Sequence, residues 1–315
     1  MFLWEQCMNK VVIILTFLVA TSSLAHAKDI VVDDPSVYKK TVDRVATTLD
    51  TFDTEYKAWI FKSSHNGLRD YKHKNRSRDN VLIAPKAVPP VADMPITLIV
   101  WNHGLGGFSS ATFERVMKQF DNVWHNTDNY VLAVLIPEMP WSVNTRTPRS
   151  RQGAVWKRKG SFRGIVTEAA EILNSRWRKP SYNLSRGLEV IVVGHSAGGS
   201  AIASASVEGS MCDLGSDEHY ISGVVWSDAS YGWWLQRAYG KRGCLSKTPT
   251  INHIVTRRWD TPHRKAMEFE KRVSKKTSFF WYFRFLTLPR KEYTHTGIGN
   301  RVLLLLQAEL FPEGC

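Results

Sequence analysis

Residues 188–199 constrain the chain more than any other segment. Leu188-Glu189-Val190-Ile191-Val192-Val193 is a nearly unbroken apolar run, rich in β-branched residues, and it leads straight into Gly194-His195-Ser196-Ala197-Gly198-Gly199. Such a run, closed by glycine, reads as a buried strand. The small, uncharged residues 200–207 then read as a helix. A strand that passes at once into a helix needs a sharp turn with a strained apex. Side chains two positions either side of that apex must be nearly absent, which is the use of Gly194 and Gly198. Ser196 is then lifted above the strand end, at a helix N-terminus whose dipole favours negative charge. Ser196 is the candidate nucleophile.

The flanking chain repeats the strand–helix alternation. Further buried strands are expected over 96–101, 130–136, 221–226, 250–256 and 279–288. Helices are expected over 112–120, 165–173, 265–273 and 300–310. Strands that are apolar throughout, instead of alternating, are buried on both faces. The expected class is therefore α/β, with a mostly parallel central sheet flanked by helices. The 315 residues, 43% hydrophobic and with 12 tryptophans, suffice for a large core, so a disordered chain is excluded. Ahead of this region, Asp34-Pro35 reads as a helix start. Tyr38, Val42, Val45, Leu49, Phe52, Tyr56 and Trp59 follow at steps of four and three, one apolar stripe on a helix. The expected organisation is a leader at 1–27, a helical extension at 28–80 packed on the main domain, and the catalytic domain at 81–315.

The G-x-S-x-G element between a buried strand and a small-residue helix resembles the nucleophile turn of the α/β-hydrolase superfamily. His103-Gly104-Leu105-Gly106-Gly107, after the 96–101 strand, is similar to the H-G-x-G-G loop that supplies part of the oxyanion hole in that superfamily's esterases and lipases. The resemblance covers residues 81–310 and leaves residues 34–60 without a counterpart, as a family-specific cap. It implies that the backbone N–H groups of Leu105 and Ala197 hold the oxyanion, each donor contributing roughly 3 kcal/mol. It also implies the chain order serine, acid, histidine. His295, in a loop between the last strand and the last helix, fits the general base better than its rival His263, which opens a helix. Two acids are open. Asp260 follows the penultimate strand, with Pro262 just beyond, and is preferred. Asp228, at the end of the preceding strand among small polar residues, is the alternative. The activity implied is ester hydrolysis, or less readily amide hydrolysis, through an acyl-enzyme, with no metal and no organic cofactor. An acyltransferase using the same triad is one alternative. A non-catalytic binding protein on the same fold is another, against which the complete and correctly ordered set of groups argues.

Lys10, the apolar run 11–20 and Ala25-His26-Ala27 describe a secretory signal peptide cut after Ala27, so a periplasmic or secreted protein is expected. In an oxidising compartment Cys212–Cys244 is the preferred disulfide, with Cys315 able to replace either. The net charge is +13. Removal of Lys10 and Glu5 with the leader leaves it unchanged. That charge favours an anionic surface or an anionic small-molecule or lipid ester. No specific nucleic-acid module is present, and the cysteine spacing resembles no zinc site. Residues 146–163 hold seven bases (Arg146, Arg149, Arg151, Lys157, Arg158, Lys159, Arg163) and no acid. With Trp141 and Trp156 they are expected to form a cationic, aromatic rim.

Overall fold

The computed structural model describes residues 30–32, 35–65, 79–86, 96–104, 109–127, 131–137, 155–176, 187–214, 219–275 and 282–311. The leader lies outside the described residues, as do Leu105, Arg146, Arg149, Arg151, Trp141 and Cys315.

The strands are β1 (Ile30–Val32), β2 (Tyr56–Lys62), β3 (Asp79–Pro85), β4 (Ile96–Asn102), β5 (Val131–Pro137), β6 (Leu188–His195), β7 (His219–Ser227), β8 (Ile251–Arg257) and β9 (Phe283–Leu288). They form one sheet in the order β1-β2-β3-β5-β4-β6-β7-β8-β9. β3 runs antiparallel to both neighbours, and every other pair is parallel. The helices are α1 (Pro35–Leu49), α2 (Ser110–His125), α3 (Ser161–Arg176), α4 (Gly199–Val207), α5 (Trp234–Ala238), α6 (Thr261–Val273), α7 (His295–Gly299), α8 (Val302–Leu305) and α9 (Gln307–Leu310).

Successive residues of the central strands bury into opposite layers, which is why these strands are apolar throughout. Leu98, Val100, Val190, Val192, Val224 and Trp226 face a layer closed by α3, α4, α5 and α6. Ile99, Trp101, Ile191, Val193 and Val225 face the other, closed by α1, α2 and the C-terminal helices. The architecture is α/β, a mostly parallel central sheet flanked by helices on both faces, as expected.

Three expectations need correction. The helix begun at Pro35 ends at Leu49, and Tyr56 and Trp59 stand on β2. The stripe misled because a strand buried on both faces is apolar at any spacing: Tyr56 faces one layer and Trp59 the other. The neighbours decide the matter: Ala58, Ile60 and Phe61 are buried too, and β2 pairs with β3 along all seven of its residues. The segment before residue 81 therefore adds strands to the sheet, not a helix alone. The helix expected over 300–310 is two short ones, α8 and α9, which meet at Leu306. Trp156 is fully buried and donates its indole N–H to Asn102 Oδ1 at 2.8 Å. It belongs to the core, and of the expected rim the described bases that remain exposed are Lys157, Arg158, Lys159 and the half-exposed Arg163, which pairs with Asp213.

The Cys212–Cys244 disulfide is present, with a Cα–Cα distance of 5.9 Å. It ties the loop after α4 to the turn before β8.

Candidate active site

β6 ends at His195, and the chain turns at Ser196 into a short 3-10 turn and then α4. Ser196 has φ +54°, a left-handed value that a residue with a β-carbon adopts only under local constraint. Gly198 makes the turn possible, because a methyl group there would collide with the Asn102 carbonyl oxygen at the end of β4. Gly104, the first glycine of the loop after β4, lies against the nucleophile turn. A β-carbon on it would be 3.0 Å from Ser196 Cβ. The glycine-rich loop thus starts beside the serine, although Leu105 itself is outside the described residues. Ala197 sits on the turn immediately after Ser196 and is buried.

His295 opens α7, whose start is fixed by Thr294: its hydroxyl accepts the Gly297 N–H at 2.9 Å. The imidazole Nδ1 lies 2.6 Å from Asp228 Oδ2. Asp228 follows the end of β7 with φ +47° and is completely buried. Its own N–H donates to Val255 O at 2.7 Å, and its Oδ1 accepts the Arg257 N–H at 3.3 Å. A buried carboxylate is tolerated when its oxygens are hydrogen-bonded in this way. Ser196 and His295 line the same cavity of about 240 Å³, together with Gly104, Arg115, His195 and Thr296.

Asp260, the preferred acid in the sequence reading, is not brought to His295. Its carboxylate binds Arg257 Nε at 2.5 Å, and the residue caps the start of α6. The reason is geometric: in the turn after β8 the Asp260 carboxylate is taken up by Arg257, three residues earlier, whereas the Asp228 carboxylate after β7 lies against His295 at the start of α7. His263, the rival base, faces the Thr256 hydroxyl at 3.2 Å.

Two neighbours went unrecognised in the sequence. His195, inside the G-x-S-x-G element, is stacked on His295 with ring centroids 4.8 Å apart. Its Nδ1 lies 3.0 Å from the Ser227 carbonyl oxygen. Burial, followed by the nearby His295 charge, lowers its pKa to about 3. The ring therefore stays neutral and adds no charge beside His295. Tyr231 sits three residues after Asp228, edge-on to His295 at 6.3 Å, with its hydroxyl on the Ser196 side. Burial, then the charges of Asp228 and Asp260, push its pKa up to about 12, so it remains a neutral phenol. The one available signal was proximity to Asp228 in the small polar stretch 227–232.

No protein-family model matches the chain, and no curated protein matches it. Among solved structures it is similar to a poly(3-hydroxybutyrate) depolymerase from Bordetella parapertussis, at 12% identity and TM-score 0.45, over 86% of this chain and 96% of that one. It is similar to the enterobactin and salmochelin hydrolase IroE, at 14% identity and TM-score 0.46, over 85% and 100%. It is also similar to an α/β serine hydrolase from Xanthomonas campestris, at 13% identity and TM-score 0.44, over 84% and 99%.

Proposed function

We propose that the chain is an exported serine hydrolase that cleaves small-molecule or lipid carboxylic esters, with Ser196 as nucleophile, His295 as general base and Asp228 as the acid. One observation carries the reading. A histidine on the wall of the serine's cavity is held at 2.6 Å by a buried carboxylate, while the serine occupies a strained strand-to-helix turn. A serine hydroxyl attacks an ester only when a base removes its proton. With Nδ1–H donated to Asp228, the lone pair of His295 lies on Nε2, where it accepts that proton, and the carboxylate stabilises the imidazolium that forms. The tetrahedral oxyanion is held by the amides of Ala197 and, following the resemblance of its loop, Leu105. Collapse expels the alcohol, which takes the proton back from His295. Water, deprotonated by the same histidine, then releases the acid and restores Ser196. The disulfide supports the export reading, since such bonds persist in oxidising compartments.

The test is labelling of the mature protein with a fluorophosphonate, alongside hydrolysis of 4-nitrophenyl butyrate. Wild type should label and turn over, and Ser196→Ala should do neither. A folded wild type that takes no label and cleaves no ester overturns the proposal.

A further inference from the structure

A second and larger concavity lies where β8 and β9 end. It is an open cleft of about 960 Å³, walled by the turn after β8, one flank of α6 and the segment leading from β9 towards His295. Its permanent charges are Arg258, Arg290 and Lys291, all exposed, against the single carboxylate of Glu292. Among the described residues none of these three bases is paired with a carboxylate. Unpaired cations converging on one concave surface create a local field that concentrates anions.

The apolar part of the cleft is equally unusual. Trp259 is 68% exposed and is held in the left-handed region at φ +70°. Both features are unfavourable for an isolated tryptophan. The Arg257–Asp260 ion pair closes the turn around it and so keeps the indole presented outwards. Arg258 covers one face of that ring, with its guanidinium 5.1 Å from the centroid. Met267, 48% exposed, and Pro289 complete a flat apolar floor.

We infer that this cleft is a binding site for an acidic oligosaccharide, a chain of sugar rings bearing carboxylates. The C–H face of a sugar ring covers exposed indole and removes apolar area from water. Carboxylates on successive rings meet Arg258, Arg290 and Lys291, with charge-assisted hydrogen bonds to the guanidinium groups. Thr287 and Glu292 supply partners for the ring hydroxyls. The cleft has one exposed indole instead of the series of aromatic faces on which successive bases of a single strand stack, which argues against nucleic acid. The volume accommodates more than one ring, which sets the ligand apart from a single aromatic acid. The site stands apart from the Ser196 chemistry and does not depend on it.

The experiment is titration of the Ser196→Ala protein with an oligogalacturonate, followed by tryptophan fluorescence and calorimetry. Neutral cello-oligosaccharide, benzoate and oligothymidylate serve as comparisons. Oligogalacturonate should bind saturably, and the binding should weaken steeply between low and high salt. Arg290→Ala/Lys291→Ala and Trp259→Ala should each weaken it about tenfold or more. Both variants alter exposed side chains, and an unchanged circular dichroism spectrum and melting temperature verify their fold. Equal affinity in wild type and variants, no binding, or preference for benzoate or oligothymidylate overturns the inference. If the protein binds the saccharide but hydrolyses no ester, the proposed activity fails and the cleft stands.

Discussion

Asp228 and His295 are 67 residues apart in the chain and 2.6 Å apart between Oδ2 and Nδ1. The other carboxylate oxygen accepts the Arg257 N–H, so the acid is held in one orientation before any ligand arrives. An acceptor placed there fixes the imidazole tautomer and leaves Nε2 for the serine proton.

Asp228→Asn should therefore lower kcat for 4-nitrophenyl butyrate by about 10³- to 10⁴-fold, through loss of the correct tautomer. Asp260→Asn should retain most of the activity, because that carboxylate serves Arg257. Steady-state kinetics on the pair decide the matter, and the reverse ranking would return the role to Asp260.

Tyr231→Phe removes the hydroxyl on the Ser196 side while keeping the ring packed against His295 and Trp234. We expect kcat to fall by about tenfold, the order of one hydrogen bond to a reacting group, with KM little changed. An unchanged kcat would reduce Tyr231 to packing.

Acid should destabilise the fold through its buried histidines, His103, His195 and His253, each with a pKa lowered by burial. Burial lowers the pKa of His103 to about 4 and that of His195 to about 3, from an ordinary value of 6.5. Below pH 6.5 the unfolded chain binds protons that the folded chain refuses, so stability falls as pH falls. The loss continues until the folded values are reached. Near pH 5 His103 and His195 together contribute a slope of about 2–3 kcal/mol per pH unit. Urea unfolding of wild type and His195→Gln measures it, and the variant should show about half of that slope.

Trp156→Phe leaves Asn102 Oδ1 without its donor inside the core. A buried acceptor left unsatisfied costs about 1–3 kcal/mol. Chemical denaturation should show that loss, and Asn102→Ala in the Trp156→Phe background should cost less than it does alone.

Replacing both Cys212 and Cys244 by serine opens a connection of 32 residues. The chain-entropy relation puts the loss at about 3–4 kcal/mol. The melting temperature of the variant should fall accordingly, and reductant should lower the wild type to the same value.

Much of this molecule is written in short stretches of its sequence. The solid apolar runs at β4, β6 and β7 specify strands buried on both faces, and hence a parallel sheet between helices, because each residue along them needs an apolar partner. Gly194 and Gly198 specify the turn that lifts Ser196, because steric room at a tight turn is a property of neighbours in the chain. The N-terminal region was ambiguous for an equally local reason: spacings of three and four do not separate a helix from a strand at Tyr56 and Trp59, and pairing with β3 chose the strand.

Which carboxylate meets His295 was beyond local reading. Asp228 and Asp260 both follow strand ends, and nothing in their immediate sequence says which of them meets His295. That depends on the stacking order of β7, β8 and β9 and on the path of the chain after β9. The same holds for Trp156, whose basic neighbours suggest a surface while its indole fills the core, and for Tyr231, whose ring reaches Ser196 from another strand's loop. Sequence determined what lies within one turn or one strand, where covalent spacing sets the geometry. Tertiary structure alone decided which distant residues meet, because that choice rests on the packing of whole elements against each other.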